Sequence, residues 1–173
     1  DGNTRLFIED LTIDGNKANN SSGYGVRLYG YFIGMTNVDV VNCKNDGIYT
    51  EWYFDRVGGG GANYDMGGQF LFVRSMDNAG NGWTFRGPHD SIIMGYNGVG
   101  NQGWGFKNEY SEEKGRQYDG NGVHAVQWNC YNNASGGIDF ETGVNGYNIA
   151  VSTDNSTTAL KLGTQVGLAT LTD

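Results

Sequence analysis

Proline is almost missing from this sequence, with one residue, Pro88, in 173. Charge is sparse as well, at 17% of residues against about 25% in an average soluble domain. A disordered glycine-rich chain carries many prolines or charges and few aromatics, yet here aromatics reach 13%, which argues for a packed core. Positive charge is in the minority: 11 Lys and Arg face 19 Asp and Glu, a net charge of -8. Phosphate binding needs clustered Lys and Arg, so no nucleic acid partner is expected, and anionic membranes are repelled. No window approaches an 18-residue apolar span and no apolar leader opens the chain, so no membrane insertion is expected. The chain begins Asp1-Gly2-Asn3 without an initiator Met and is read as a single domain, residues 1–173, from a longer protein.

Cysteine and histidine number two each. Cys43 and Cys130 lie in similar surroundings, Asn42-Cys43-Lys44-Asn45 and Asn129-Cys130-Tyr131-Asn132. No CxxC or Cys/His spacing suggests zinc, and dense metal-ligand spacing is absent; no metal or other cofactor is expected, although Asp-rich turns could hold a calcium ion weakly. The repeat described next separates the thiols by three coils, about 14 Å at about 4.7 Å per coil. A disulfide needs Cα atoms within about 7 Å, so buried free thiols are expected. His89 follows Pro88 in a turn and precedes Asp90, and a turn histidine is the plainer reading than an oriented base. Spacing assembles no Ser/His/Asp triad.

Glycine, at 30 residues, and asparagine are abundant. Both weaken helix interiors and both tolerate sharp turns, which points to an all-β chain. Six segments align without gaps: Gly25–Tyr29, Gly47–Glu51, Gly82–Arg86, Gly103–Lys107, Gly137–Glu141 and Ala159–Gly163. Each runs small, large apolar, any, apolar, polar. Their first positions are spaced 22, 35, 21, 34 and 22 residues apart. Three spacings equal one coil of a solenoid, and two equal a coil plus an insertion.

Alternation with period two buries one face of a strand. Stacking then places Val26, Ile48, Trp83, Trp104, Ile138 and Leu160 in one interior column. Leu28, Thr50, Phe85, Phe106, Phe140 and Leu162 form a second. Upstream lie further apolar stretches ending in Asn-rich turns, such as Val38–Cys43 and Phe72–Asn78. The expected fold is a right-handed parallel β-helix, a single-stranded solenoid of about six coils. The competing reading, a β-sandwich, requires neither a 22-residue register nor aligned apolar columns.

The insertions, about residues 52–68 and 108–122, leave the coil at the same point and would wall the outer face of the aligned strands. The first carries Trp52, Tyr53, Tyr64 and a four-glycine run, which no GK[ST] follows, so it is not a phosphate loop. The second carries Glu109 and Tyr110. Trp52, Tyr53, Tyr64 and Tyr110 are candidate sugar-stacking aromatics. Between the walls one outward column reads Tyr29, Glu51, Arg86, Lys107, Glu141. The other reads Arg27, Tyr49, Thr84, Gly105, Asp139, Lys161. Asp139 and Glu141 lie two apart on one strand, about 6.5–7 Å, near the carboxyl separations used by glycosidases. Glu51 and Glu109, two coils apart, are a second candidate pair, and Gly105 would leave room for a sugar ring beside Asp139. Arg86 and Lys107 are candidate substrate-binding cations. The plainer alternative is that these charges merely pair with one another on the surface.

The segments Leu11–Asn16, Gly25-Val26, Val40-Val41-Asn42 and Asp46–Thr50 resemble the pectin-lyase-like β-helix of bacteriophage tailspikes. Asn81-Gly82-Trp83 leading to Gly87-Pro88-His89-Asp90-Ser91-Ile92 is similar to tailspike coils too. The resemblance spans the chain and is specific for fold rather than chemistry. It implies an extracellular protein of the virion tail, homotrimeric at full length. Its partner would be a bacterial capsule, O-antigen or exopolysaccharide, cleaved by hydrolysis or by β-elimination. Catalytic residues vary across the family, and none transfers by motif. The chain also resembles alginate epimerase modules, whose Tyr-Gly-Phe-Asp-Pro-His signature appears here as Trp83-Thr84-Phe85-Arg86-Gly87-Pro88-His89. The missing Asp before Pro counts against epimerisation. The leading expectation is a glycoside hydrolase in which one of Asp139 and Glu141 protonates the leaving oxygen while the other activates water or attacks. A lyase using Lys107, Arg86 or a tyrosine as base or as neutraliser of a uronic acid is second. A glycan-binding or structural fibre segment without catalysis is third.

Overall fold

Period-two apolar alternation becomes strand throughout. The computed structural model describes residues 3–51, 67–88, 90–109, 123–141, 151–152 and 158–162. Among these residues all regular elements are strands and every pairing is parallel. One sheet has seven strands in the order β1 (Asn3–Thr4), β3 (Val26–Tyr31), β5 (Ile48–Glu51), β8 (Trp83–Arg86), β11 (Trp104–Asn108), β14 (Gly136–Phe140) and β16 (Leu160–Leu162). The other sheet has nine: β2 (Phe7–Asp14), β4 (Gly34–Val41), β6 (Gln69–Leu71), β7 (Arg74–Met76), β9 (Ser91–Met94), β10 (Asn97–Val99), β12 (Val123–Val126), β13 (Trp128–Tyr131) and β15 (Val151–Ser152). The chain alternates between the two, and each return lays a strand parallel to the one before.

Three files of left-handed residues shape each pass. Arg5, Phe32, Gly67 and Asp90 stand where the chain turns into the second sheet, and all have positive φ. Asp10, Asn37, Phe72, Gly95 and Gln127 form the next file. They bend the chain in mid-course, so that β4 pairs β6 through its first residues and β7 through its last. Asn37 Nδ2 also donates to Asp10 Oδ1 at 2.9 Å, tying two bends together. Asn42, Asp77, Gly100 and Asn132 make the third turn. Asn, Asp and Gly bear positive φ at least cost, which explains their abundance, whereas Phe32 and Phe72 take it against preference.

After the third turn the interior is polar. Asn78, Asn101 and Asn133 are buried one above another. The Cys43 amide donates to Asn78 Oδ1 at 2.9 Å, the Asn78 amide to Asn101 Oδ1 at 3.1 Å, and the Asn101 amide to Asn133 Oδ1 at 3.0 Å. The side-chain amides of Asn78 and Asn101 repeat the step, at 2.8 and 2.9 Å. Burying amides is tolerable only because each donor finds an acceptor.

This file dictates the glycines. A Cβ on Gly47 would lie 2.1 Å from Ser75 Oγ and 2.5 Å from Asn78 Nδ2. On Gly82 it would meet the Gly105 carbonyl at 2.4 Å and Asn101 Nδ2 at 2.8 Å, and on Gly105 it would meet Asn133 Nδ2 at 2.7 Å. Each glycine enters the first sheet where no side chain fits. The fourth aligned residue is therefore Gly105, not Gly103, which corrects the expected register by two residues. Pairing agrees: Phe106 stands opposite Trp83 and Ile138, and Lys107 opposite Thr84 and Asp139.

The interior column thus reads Val26, Ile48, Trp83, Phe106, Ile138 and Leu160, with Phe106 in the place expected for Trp104. In the next column Asn108, not Phe106, stands between Phe85 and Phe140. Trp83 has no exposed surface and packs edge-on to Phe70, Tyr96 and Phe106 at 4.8, 5.4 and 5.6 Å between centroids. Its indole N–H donates to Thr50 Oγ1 at 3.1 Å, so a polar member of the column is satisfied from within. Trp128, unremarked in the sequence, joins this cluster 4.5 Å from Phe106.

Both thiols are free and buried. They occupy different files: Cys130 continues Val40, Ser75 and Gly98, whereas Cys43 caps the asparagine file. The expected similarity of their surroundings was therefore a coincidence of neighbours. Burial raises both thiols, Cys130 to about 12. Neither is expected to react with a thiol-specific disulfide reagent at pH 8 until the chain is unfolded in urea, when two equivalents should be released. Gly47→Ala should lower unfolding free energy by about 1–3 kcal/mol, the usual cost of overpacking, read from urea denaturation.

Candidate functional site

Side chains that point away from the core of the first sheet form two files. With the corrected register one reads Tyr29, Glu51, Arg86, Glu109, Glu141, and the other Arg27, Tyr49, Thr84, Lys107, Asp139, Lys161. Three expectations change. Lys107 stands in line with Asp139, not with Glu141, and Gly105 is inside the fold, so it leaves no gap beside Asp139. Glu109, expected on an insertion, instead continues β11: its amide donates to the Phe85 carbonyl at 3.0 Å.

The charges interlock across strands. Arg86 donates to Glu109 Oε2 through Nε and a terminal nitrogen, at 3.0 and 2.6 Å. Lys107 Nζ lies 2.7 Å from Glu109 Oε1 and 3.1 Å from Glu141 Oε1. Lys161 Nζ lies 2.9 Å from Asp139 Oδ2 and 3.9 Å from Glu141 Oε1. Both oxygens of Glu109 are thus held. Burial opposes its charge, but the Lys107 and Arg86 hydrogen bonds prevail and keep its carboxyl below the usual carboxylate range. Lys107 and Arg86 are correspondingly held above their ordinary values, since Glu109 outweighs their burial.

Asp139 and Glu141 differ from Glu109. The Asp139 side chain is 1% exposed, and its Oδ1 has no hydrogen-bond partner among the described residues. Glu141 is 37% exposed and touches two ammonium groups. One ammonium therefore joins a buried carboxylate to an open one. Glu51, expected as a partner of Glu109, is 6% exposed and accepts a 2.8 Å hydrogen bond from Tyr49 Oη. Arg86 stands between Glu51 and Glu109 in the file. Trp52, Tyr53, Tyr64 and Tyr110 lie outside the described residues, as does His89.

Two residues of this face were not read from the sequence. Asp46 accepts from the Asn81 amide at 2.8 Å and from Thr84 Oγ1 at 2.7 Å, and burial raises its carboxyl. It precedes Gly47 as Asn81 precedes Gly82, which was the available signal. Trp104 was assigned to the core. It follows Asn81 in this outer shoulder, where its amide donates to Asn81 Oδ1 at 2.7 Å. It is half-buried, its ring fills the space that a Cβ on Gly136 would need, and Lys161 Nζ sits 5.9 Å from the ring centroid. A partly open indole thus adjoins the Asp139, Glu141 and Lys161 cluster.

Among the described residues no group of three or more His, Cys, Asp or Glu is placed to hold a metal ion. The ion pairs fix a pH response. Because its folded value is depressed, Glu109 adds stability that is fully present above the unfolded value of about 4.3 and is lost as pH falls through the folded value. The urea midpoint of the parent protein should therefore fall more steeply below about pH 4.5 than that of Glu109→Gln; parallel curves would deny the role. No family model, curated protein or solved structure matches this chain.

Proposed function

We propose that the chain is a right-handed parallel β-helix of about six coils, of the pectin-lyase-like type found in bacteriophage tailspikes. The alternation of strands between two parallel sheets supports this, as does the right hand that about 98% of parallel crossover connections adopt. In this reading the protein belongs to an extracellular virion tail and is homotrimeric at full length. The outer face of the first sheet binds a capsule, O-antigen or exopolysaccharide chain laid across the strands.

The reaction supported best is glycoside hydrolysis by Asp139 and Glu141. The observation that carries it is the grouping of both carboxylates around Lys161 beside the half-buried Trp104 indole. The two oxygens nearest Lys161 lie 2.9 and 3.9 Å from its nitrogen, so they are at most about 6.8 Å apart, an upper bound that admits the spacing of about 5–5.5 Å used by retaining glycosidases. An indole face offers a sugar ring an apolar platform, and the carboxylates beside it supply acid and base. One carboxyl protonates the leaving oxygen while the other activates water or attacks the anomeric carbon. Lys161, 52% exposed, must swing aside for a sugar to reach Asp139.

β-Elimination is supported less well. Arg86 and Lys107, the cations proposed to neutralise a uronic acid, already hold Glu109 and Glu141. That same mutual pairing favours a second reading, in which the face binds glycan without cleaving it. Incubation with the host surface polysaccharide separates the three. Hydrolysis yields new reducing ends without ultraviolet absorbance from unsaturation; a lyase yields both; binding with neither signal ends the catalytic reading. Asp139→Asn and Glu141→Gln should each lower the rate at least about a hundredfold, the lower end of general acid–base contributions. Full activity in both removes this pair.

A further inference from the structure

At the other end of the same face stands a cation in different company. Arg27, exposed on β3, has its guanidinium carbon 4.9 Å from the Tyr29 ring centroid, 5.2 Å from that of Tyr49 and 5.5 Å from that of Tyr24. A terminal nitrogen donates to Tyr29 Oη. Arg86, Lys107 and Lys161 each hold a carboxylate, whereas among the described residues Arg27 holds none.

The tyrosines are fixed in turn. Tyr49 is buried, hydrogen-bonded to Glu51, and carries Arg86 5.6 Å above its ring. Tyr24 and Tyr29 lie against it, at 5.4 and 6.1 Å between centroids. A guanidinium has five donors in a planar fork. Among the described residues only one is used, in the bond to Tyr29 Oη, and the aromatic faces hold the plane in place without consuming the others. A preordered fork with open donors matches a planar carboxylate, and the neighbouring rings match the apolar face of a sugar.

We propose that Arg27, framed by Tyr24, Tyr29 and Tyr49, is a subsite for the carboxylate of a uronic acid residue in the bound polysaccharide. This rests on the reading of the outer face as a glycan-binding surface and names its substrate class: an acidic polymer. Arg27 and Asp139 share one file, four strands apart, or about 19 Å at the spacing of parallel strands. The subsite therefore grips the chain at a distance from the carboxylate pair. It contributes to affinity and register rather than to bond breaking.

The test is an NMR titration of the parent chain with sodium galacturonate, galactose, and sodium chloride at matched ionic strength. The side-chain Nε–H signal of Arg27 and the Tyr24, Tyr29 and Tyr49 ring signals are followed. Galacturonate should shift them saturably, and the apparent Kd should weaken at least fivefold in Arg27→Gln while Arg27→Lys retains part of the response. Absence of a saturable shift, equal shifts with chloride, or an unchanged Kd in Arg27→Gln overturns the subsite. Galactose reports sugar contact without charge, so shifts of equal size and affinity with galactose also overturn it. The broader reading fails separately, when host polysaccharide binds nowhere on the chain even though galacturonate titrates Arg27.

Discussion

Register in the first sheet depends on one packing constraint: at Gly25, Gly47, Gly82 and Gly105 the strand entering that sheet passes so close to the buried file of Cys43, Asn78, Asn101 and Asn133 that only glycine fits. The Cβ that alanine would add at Gly47 or Gly82 overlaps Ser75 Oγ or the Gly105 carbonyl. The asparagines cannot retreat, because each side-chain oxygen caps a backbone amide of the preceding turn. Leaving such an amide unpaired in the interior costs about 1–3 kcal/mol. Glycine position and asparagine file thus determine each other, and together they decide which outward side chains become neighbours.

That neighbourhood gives the outer face its character. A chain of low charge density concentrates three cations and three anions on adjacent strands, from Arg86 through Glu109, Lys107, Glu141 and Lys161 to Asp139. Most of these groups are only partly exposed, so desolvation offsets much of the attraction and their cumulative effect on stability is modest. Their asymmetry matters more. Glu109 is held at both oxygens, Asp139 keeps a buried oxygen without a hydrogen bond among the described residues, and Glu141 remains open to solvent. Groups that have not exhausted their bonding capacity are the ones with something to offer a ligand. By the same measure Arg27, which holds no carboxylate among the described residues, stands apart from Arg86, Lys107 and Lys161.

Inward and outward parity was legible in the residues themselves. A strand with period-two apolar alternation has one buried face, and Val26, Ile48, Trp83 and Ile138 are buried accordingly. The abundance of Asn and Gly announced the left-handed turns. Parallel pairing followed from repeated, similar segments that must stack to bury a common core. The polar file was less visible, because Cys43 takes the first of its places and breaks the run of asparagines.

Gly103-Trp104-Gly105-Phe106 admits two alignments that differ by two residues, and a slip of two preserves which side chains point inward. Local pattern is blind to that choice. It was settled by contacts between successive strands: no space for a Cβ opposite Asn133, and a Phe106 ring opposite Trp83. The sequence by itself determined strand, turn and face, because these depend on neighbours along the chain. Only the tertiary structure decided that Trp104 lies on the shoulder of the outer face, that Lys107 stands beside Asp139, and that tyrosines from three segments surround Arg27. The pairings of Lys107 with Asp139 and of Arg27 with Tyr49 join residues more than 20 positions apart, where stacking rather than local preference selects the partner.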